Sequence, residues 1–116
     1  MSKATPSGRL ESGIFFFNAG RFFEAHEAWE DLWRDTEGPE RRLYQGLIHA
    51  AVGLLHRRNG NCKGAELQLR KALSKLDGFP DDACGIDLSE LRICLDKLLR
   101  NMEEMSLSTV RIRRLK

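Results

Sequence analysis

The stretch FFEAHEAWEDLW, from Phe22 to Trp33, decides the fold of this chain. Apolar residues recur in it at Phe22, Ala25, Trp29 and Leu32, which is the spacing of one face of an α-helix. Both tryptophans fall on this apolar side, where large aromatic rings bury the most surface. The stretch therefore predicts an amphipathic helix whose tryptophans pack into a core made with other helices.

The same spacing predicts further helices on both sides of this stretch. Proline or a capping residue stands at the predicted starts, and glycine, asparagine or proline marks the predicted ends. Asp87, with Glu90 three residues later, forms a capping-box pattern, and Gly64 with Ala65 predicts a close approach between helices. Short connections favour antiparallel neighbours, so we predict an all-α, single-domain antiparallel bundle of about five helices. The predicted helices cover about residues 6–17 (with Thr5 as N-cap), 21–35, 39–58, 62–76 and 88–105 (with Met102 and Met105 in its apolar seam).

The domain prediction divides the chain into a helical bundle over residues 1–105 and a basic C-terminal tail over residues 106–116. A chain of 116 residues that is 41% hydrophobic is long enough for one core. The tail holds four cations and no acid, and without them 15 basic residues face 17 acidic ones. This balance argues against a general nucleic-acid-binding surface, and we expect the tail to be extended or disordered. The four cations are Arg111, Arg113, Arg114 and Lys116.

The location predicted from the sequence is the cytoplasm. The polar N-terminus lacks the apolar stretch of a secretory signal, and the longest apolar run, Ala50 to Leu55, is far too short for a membrane span. Cys62, Cys84 and Cys94 form an odd set without a CxxC pair, so we expect reduced thiols rather than disulfides or a zinc ribbon.

His26 and Glu30 are the main candidates for chemistry, because a separation of four residues places them side by side on one helix. Imidazole and carboxylate are ligands for zinc, iron or manganese, and His49 and Glu27 are the candidates to complete such a site. The alternative is structural, since a half-buried histidine needs a hydrogen-bond partner and Glu30 would accept that bond. The residues alone leave both interpretations open.

The spacing of these residues excludes several classes of enzyme. A zincin requires HExxH, and Glu30 stands where its second histidine would be. A di-iron bundle requires paired ExxH motifs, which the chain lacks. No serine or cysteine is oriented toward a base for nucleophilic catalysis. His56, beside two arginines, fits a cation at the C-terminus of a helix.

Four blocks of the chain resemble a known family. They read FFFNAGRFFEAHEAWEDLWR, YQGLIHAAVGLLH, RNGNCKGAELQLRKAL and GIDLSELRICLDKLL, and together they extend from about Leu10 to Leu99. The chain resembles the bacterial and archaeal domain-of-unknown-function family 309, with its HxxxExx(W/Y) motif at His26, Glu30 and Trp33. The resemblance implies an all-helical bundle and metal binding by the histidine and the glutamate, and it implies no substrate.

A second hypothesis makes the chain an interaction module. The stretches GRFFEAHEAWEDL and GAELQLRKALSKLDGFP are similar to tetratricopeptide-like helices, with small residues at Ala25 and Ala65, so two helical hairpins would form a scaffold or a homo-oligomer. The main prediction remains a divalent metal at His26 and Glu30, with hydrolysis by a metal-bound water as its furthest extension. Substrate and enzyme activity stay open, and no membrane partner is expected.

Overall fold

A computed structural model describes residues 6–101 and 110–115 and confirms the all-α fold, with five α-helices in these ranges. The predicted N-cap Thr5 and the predicted seam residues Met102 and Met105 lie outside the described residues. No helix in these ranges is both long enough and apolar enough to cross a membrane. The helices are α1 Pro6–Asn18, α2 Phe22–Arg34, α3 Glu40–Arg58, α4 Cys62–Leu76 and α5 Leu88–Arg100, with a short 3₁₀ turn at Ala83–Gly85 before α5.

Local capping explains where the last two helices begin. Asn61 Oδ1 accepts a hydrogen bond from Gly64 N at 2.9 Å at the start of α4. Asp87 Oδ1 accepts one from Glu90 N at 3.0 Å at the start of α5, which confirms the predicted N-cap. Each bond satisfies a backbone amide that has no partner within its own helix.

Helix α3 lies in the middle of the bundle and packs closely against α4. A Cβ atom added to Gly46 would lie 2.7 Å from Leu76 Cδ2, and one added to Gly53 would lie 2.9 Å from Leu69 Cδ2. The two glycines therefore let the backbones of α3 and α4 approach. Of the predicted pair Gly64 and Ala65, Ala65 is completely buried, whereas the three atoms nearest to a Cβ added at Gly64 all belong to its own cap, Asn61, the first at 2.5 Å.

The two tryptophans of α2 occupy different environments. Trp29 is completely buried between α1 and α2, and its Nε1 donates a hydrogen bond to Leu10 O at 3.3 Å. Trp33 is only half-buried, and the guanidinium of Arg41 lies 4.0 Å from the centroid of its ring. Trp29 is thus a core residue, whereas Trp33 lies where the core meets the surface.

The C-terminal segment 110–115 lies on the bundle in an extended conformation. Val110 and Ile112 are buried in the same core as the helices. Asn18 Nδ2 donates a hydrogen bond to Ile112 O, and Asn18 Oδ1 accepts one from Ile112 N, both at 2.8 Å. Leu115 N donates to Gly85 O at 2.8 Å, within an isolated antiparallel β-bridge. The predicted domain boundary at residues 105 and 106 falls outside the described residues.

Candidate functional site

His26 and Glu30 lie one turn apart on α2 and contact each other directly. His26 Nε2 is 2.6 Å from Glu30 Oε2, and the two side chains are 25% and 39% exposed. The ring of Phe23, one turn earlier, lies 6.0 Å from the imidazole. The pair is therefore formed within one helix, and solvent reaches both of its members.

The other imidazole nitrogen is in a different situation. His26 Nδ1 is buried and has no hydrogen-bond partner within the described part of the chain. Histidines that ligate metals usually donate from this second nitrogen to a carboxylate or a carbonyl, which fixes the orientation of the ring. The His26 ring is thus contacted by the carboxylate of Glu30 through Nε2 and by the ring of Phe23.

A shallow hollow of about 160 Å³ opens beside the pair. Three carboxylates line it, together with one guanidinium, so its formal charge is negative whenever these groups are ionised. Arg34 Nη1 lies 2.9 Å from Asp31 Oδ1, and Arg34 Nη2 lies 3.6 Å from Glu30 Oε1. The lining residues are His26, Glu27, Glu30, Asp31 and Arg34.

Two of these lining residues, Asp31 and Arg34, were not among the candidates predicted from the sequence. Their spacing carries a signal, since Arg34 follows Glu30 by four residues and Asp31 by three, which are the separations at which charged side chains on a helix meet. The predicted candidate Glu27 does line the hollow.

His49, the predicted third ligand, points elsewhere. Its Nδ1 lies 2.7 Å from Gln68 Oε1 of α4, so it belongs to the seam between α3 and α4. Burial lowers the pKa of His49 below its usual value, and the nearby Lys71 and Lys75 add to this effect, although the hydrogen bond to Gln68 Oε1 opposes it. Within residues 6–101 and 110–115, no three histidine, cysteine, aspartate or glutamate side chains are grouped so that they could hold a metal ion.

His56 also stays away from the pair. It lies in the last turn of α3, as the sequence predicted, and its Nδ1 is 3.4 Å from Asn61 Nδ2 in the following turn. The arrangement around His26 therefore contains one imidazole, its partner Glu30 and the two further carboxylates of the hollow.

His26 Nε2 and Glu30 Oε2 lie closer together than two ligand atoms of one metal ion do. Nitrogen and oxygen ligands lie about 2.0–2.2 Å from zinc, which separates two tetrahedral ligand atoms by roughly 3.4 Å. The observed Nε2 to Oε2 distance of 2.6 Å is shorter, so the two side chains would have to move apart before an ion could lie between them.

The fold and this hollow define a small helical-bundle domain with a histidine–glutamate pair on its second helix. The family model described as "Domain of unknown function (DUF309)" matches residues 10–67, which is half of the chain. The chain belongs to this family, as its resemblance predicted, and His26, Glu30 and Trp33 all lie within the matched residues.

Relatives of the chain include longer proteins and one of known structure. An uncharacterized protein from Aquifex aeolicus (strain VF5) is 33% identical over 95 residues, which is 81% of this chain and 28% of that protein. The uncharacterized protein YpuF from Bacillus subtilis (strain 168) is 25% identical over 104 residues, which is 87% of this chain and 60% of YpuF. The chain thus spans less than two thirds of the length of either relative.

The related structure is the crystal structure of a conserved hypothetical protein from Thermus thermophilus. It is 38% identical in sequence and superimposes with a TM-score of 0.68, covering 78% of this chain and 94% of that one. The helical architecture is therefore common to both proteins over most of the shorter chain.

Proposed function

We propose that this domain binds a divalent metal ion through His26 and Glu30. The observation that carries the proposal is the convergence of His26 Nε2 and Glu30 Oε2, 2.6 Å apart, at a hollow that solvent reaches. An imidazole with a carboxylate suits zinc, iron or manganese, the metals that the sequence suggested.

Glu27 lines the same hollow but does not form a three-residue metal-binding group with His26 and Glu30, so the proposed ion would be held by the pair alone. His49 is not part of the proposed site, since it bonds to Gln68 in the seam between α3 and α4. Water would complete the coordination, as it does wherever a site keeps open positions.

The proposed site is weak and exchangeable rather than structural. His26 Nδ1 has no partner among the described residues, and losing such an outer partner typically weakens metal affinity by roughly 10–100-fold. Arg34 also competes with a cation for Glu30 and Asp31.

Hydrolysis is the furthest extension of this proposal. A bound divalent ion with open positions lowers the pKa of its water and so supplies a nucleophile near neutral pH. The chain's own contribution would be Arg34, whose guanidinium lies at the edge of the hollow and could hold an anionic substrate group.

Metal titration of the purified chain tests the proposal. We would add Zn²⁺ or Co²⁺ to ¹⁵N-labelled protein and follow the imidazole nitrogen resonances, with calorimetry for affinity. The wild type should bind one ion with the largest changes at His26, H26Q and E30Q should lose this binding, and the control H56Q should keep it. Unchanged His26 resonances at millimolar metal would refute metal binding at this pair.

A second candidate function is an interaction module, and exposed aromatic residues favour it. Phe15 is 67% exposed and Phe23 is 52% exposed, although large apolar side chains usually gain from burial. Phe23 packs beside His26, so in this case the histidine–glutamate pair would stiffen a face that binds a partner or a second copy of the chain. The longer relatives are consistent with a module that works alongside other domains.

Sedimentation velocity separates the two candidates. If the module forms homodimers through this face, F23S should lower the average mass of concentrated protein while leaving metal binding intact. A monomeric wild type at all concentrations would exclude the homodimer. Either form of the proposal includes a cytoplasmic location, which is consistent with three cysteines that form no disulfide.

A further inference from the structure

A second cavity lies at the N-terminal end of α2, where the α1–α2 turn, the end of α3 and the C-terminal segment meet. Its volume is about 240 Å³, half as large again as the hollow beside His26. The residues that line it are Phe17, Asn18, Ala19, Gly20, Phe22, Arg58, Val110 and Arg111.

The charge of this cavity is unbalanced. Arg58 and Arg111 line it, and none of its described lining residues is acidic. Glu24 lies in the first turn of α2, but Arg21 already binds it at 2.7 and 2.9 Å. This bond lowers the pKa of Glu24, and Arg58 contributes a smaller part of the same effect. Two guanidinium groups therefore face the cavity without a carboxylate of their own.

The three arginines of segment 110–115 are in two kinds of environment. Arg114 Nε lies 2.6 Å from Glu11 Oε1, and Arg113 Nε lies 3.6 Å from Glu90 Oε2. Arg111 forms no such ion pair within residues 6–101 and 110–115, and it lines the cavity instead. Two arginines of the segment thus form ion pairs with acidic residues of the helices, and the third lines the cavity.

Neighbouring groups hold the guanidinium of Arg58 and the backbone that follows Arg111. The guanidinium of Arg58 lies 5.1 Å from the centroid of the Phe22 ring and donates a hydrogen bond to Gly20 O. Four of its five donors remain for other partners. Arg111 precedes Ile112, whose backbone is held by Asn18 at 2.8 Å in both directions.

The floor of the cavity is apolar. Phe17, Phe22 and Val110 are each at most 3% exposed and form part of the core. A ligand that places an anionic group between the two arginines would therefore bring its remaining atoms against hydrocarbon, which stabilises binding in proportion to the apolar area covered.

We infer that this cavity binds a small phosphate monoester that carries an apolar group. Guanidinium groups form bidentate hydrogen bonds with phosphate oxygens, and two of them match the charge of a phosphate monoester. The apolar floor receives the organic part of the ligand. This inference does not depend on metal binding at His26, because the two sites share no residue.

Calorimetric titration with three probes tests the inference. The probes are phenyl phosphate, inorganic phosphate and benzoate, each added to the full chain in a buffer without phosphate or divalent metal. We expect phenyl phosphate to bind tightest, because inorganic phosphate lacks the apolar group and benzoate carries half the charge. R111Q and R58Q should each weaken phenyl phosphate binding by about 10-fold or more, the loss typical of one charged hydrogen-bonding partner.

R100Q is the matched control, since it removes one positive charge from the exposed Arg100–Asp96 pair of α5. It should leave the affinity within about 2-fold of the wild type, since Arg100 does not line the cavity and the charge of an exposed side chain is screened by salt. Arg111 is exposed, so R111Q tests the site even if R58Q fails to fold. Absence of phenyl phosphate binding at millimolar concentration, equal losses in R111Q and R100Q, or tighter binding of benzoate would each overturn the inference.

Discussion

The close approach of α3 and α4 makes a graded prediction for its two glycines. In G46A the new Cβ would lie 2.7 Å from Leu76 Cδ2, 2.8 Å from Leu76 Cγ and 3.2 Å from Lys75 Cβ. Leu76 is completely buried and Lys75 Cβ is fixed to the backbone, so the helices must separate. Overpacking of this kind costs up to about 3 kcal/mol, and the better helix propensity of alanine returns about 1 kcal/mol. We expect G46A to lower the free energy of unfolding by about 2 kcal/mol.

G53A is the matched comparison on the same face of α3. Its Cβ would lie 2.9 Å from Leu69 Cδ2 and 3.4 Å from Gln68 Cβ, so a smaller shift relieves the contact. The expected loss is about 0.5 kcal/mol, the difference between a mild overpacking cost and the same helix gain. Urea unfolding followed by circular dichroism at 222 nm measures both variants. A G46A protein as stable as the wild type, or less destabilised than G53A, would refute the packing argument.

Three further predictions concern His49, the α5 cap and the C-terminal segment. Burial lowers the pKa of His49 below its usual value of 6.5, so the unfolded state binds more protons than the folded state just below that pH. The free energy of unfolding should therefore fall as the pH decreases from about 6.5. An NMR titration midpoint of His49 at or above 6.5 would contradict this. D87A removes the bond to Glu90 N and should cost about 1 kcal/mol in urea unfolding, whereas the exposed control D96A should change stability by less than about 0.5 kcal/mol. N18A removes both hydrogen bonds to Ile112 and should greatly speed amide hydrogen exchange in residues 110–115. N18D keeps one acceptor, so its exchange rate should lie between those of N18A and the wild type. Unchanged exchange in N18A would show that Asn18 does not hold the segment.

Helix positions could be predicted from the sequence because they depend on local spacing and capping. The apolar period around Trp29 and the cap at Asp87 are both properties of a few neighbouring residues, and both appear in the structure. The glycines of the α3–α4 seam carried a signal of the same kind. Gly46 and Gly53 are seven residues apart, hence on one face, but only the structure shows which neighbouring helix that face meets.

The candidate site was harder to predict for the same reason. The contact of His26 with Glu30 follows from their separation of four residues. The position of His49 depends on the rotation of α3 between two neighbours, α2 and α4, and the sequence does not specify which of them an intermediate position faces. In the structure His49 turns to Gln68 of α4.

The position of the C-terminal segment could not be predicted from helix spacing or capping, because it depends on a contact with a distant residue. Its alternating pattern suggested an extended segment or a disordered tail, and the pattern contains nothing that identifies Asn18 as its partner. The side-chain amide of Asn18 bonds to both the N–H and the C=O of Ile112, as the backbone of a neighbouring strand would in a sheet. Such a partner becomes visible only when distant parts of the chain have been placed together.

The bond between Asn18 and Ile112 also bears on the order of folding events. It joins residues 94 positions apart, whereas the main helix contacts join neighbours along the chain, α1 with α2, α2 with α3 and α3 with α4. Closing a large loop costs more entropy than closing a short one, so contacts between consecutive helices form first on average. We therefore expect the C-terminal segment to dock on a bundle that is already assembled. Weakening its attachment should accordingly leave the refolding rate almost unchanged and appear as faster unfolding.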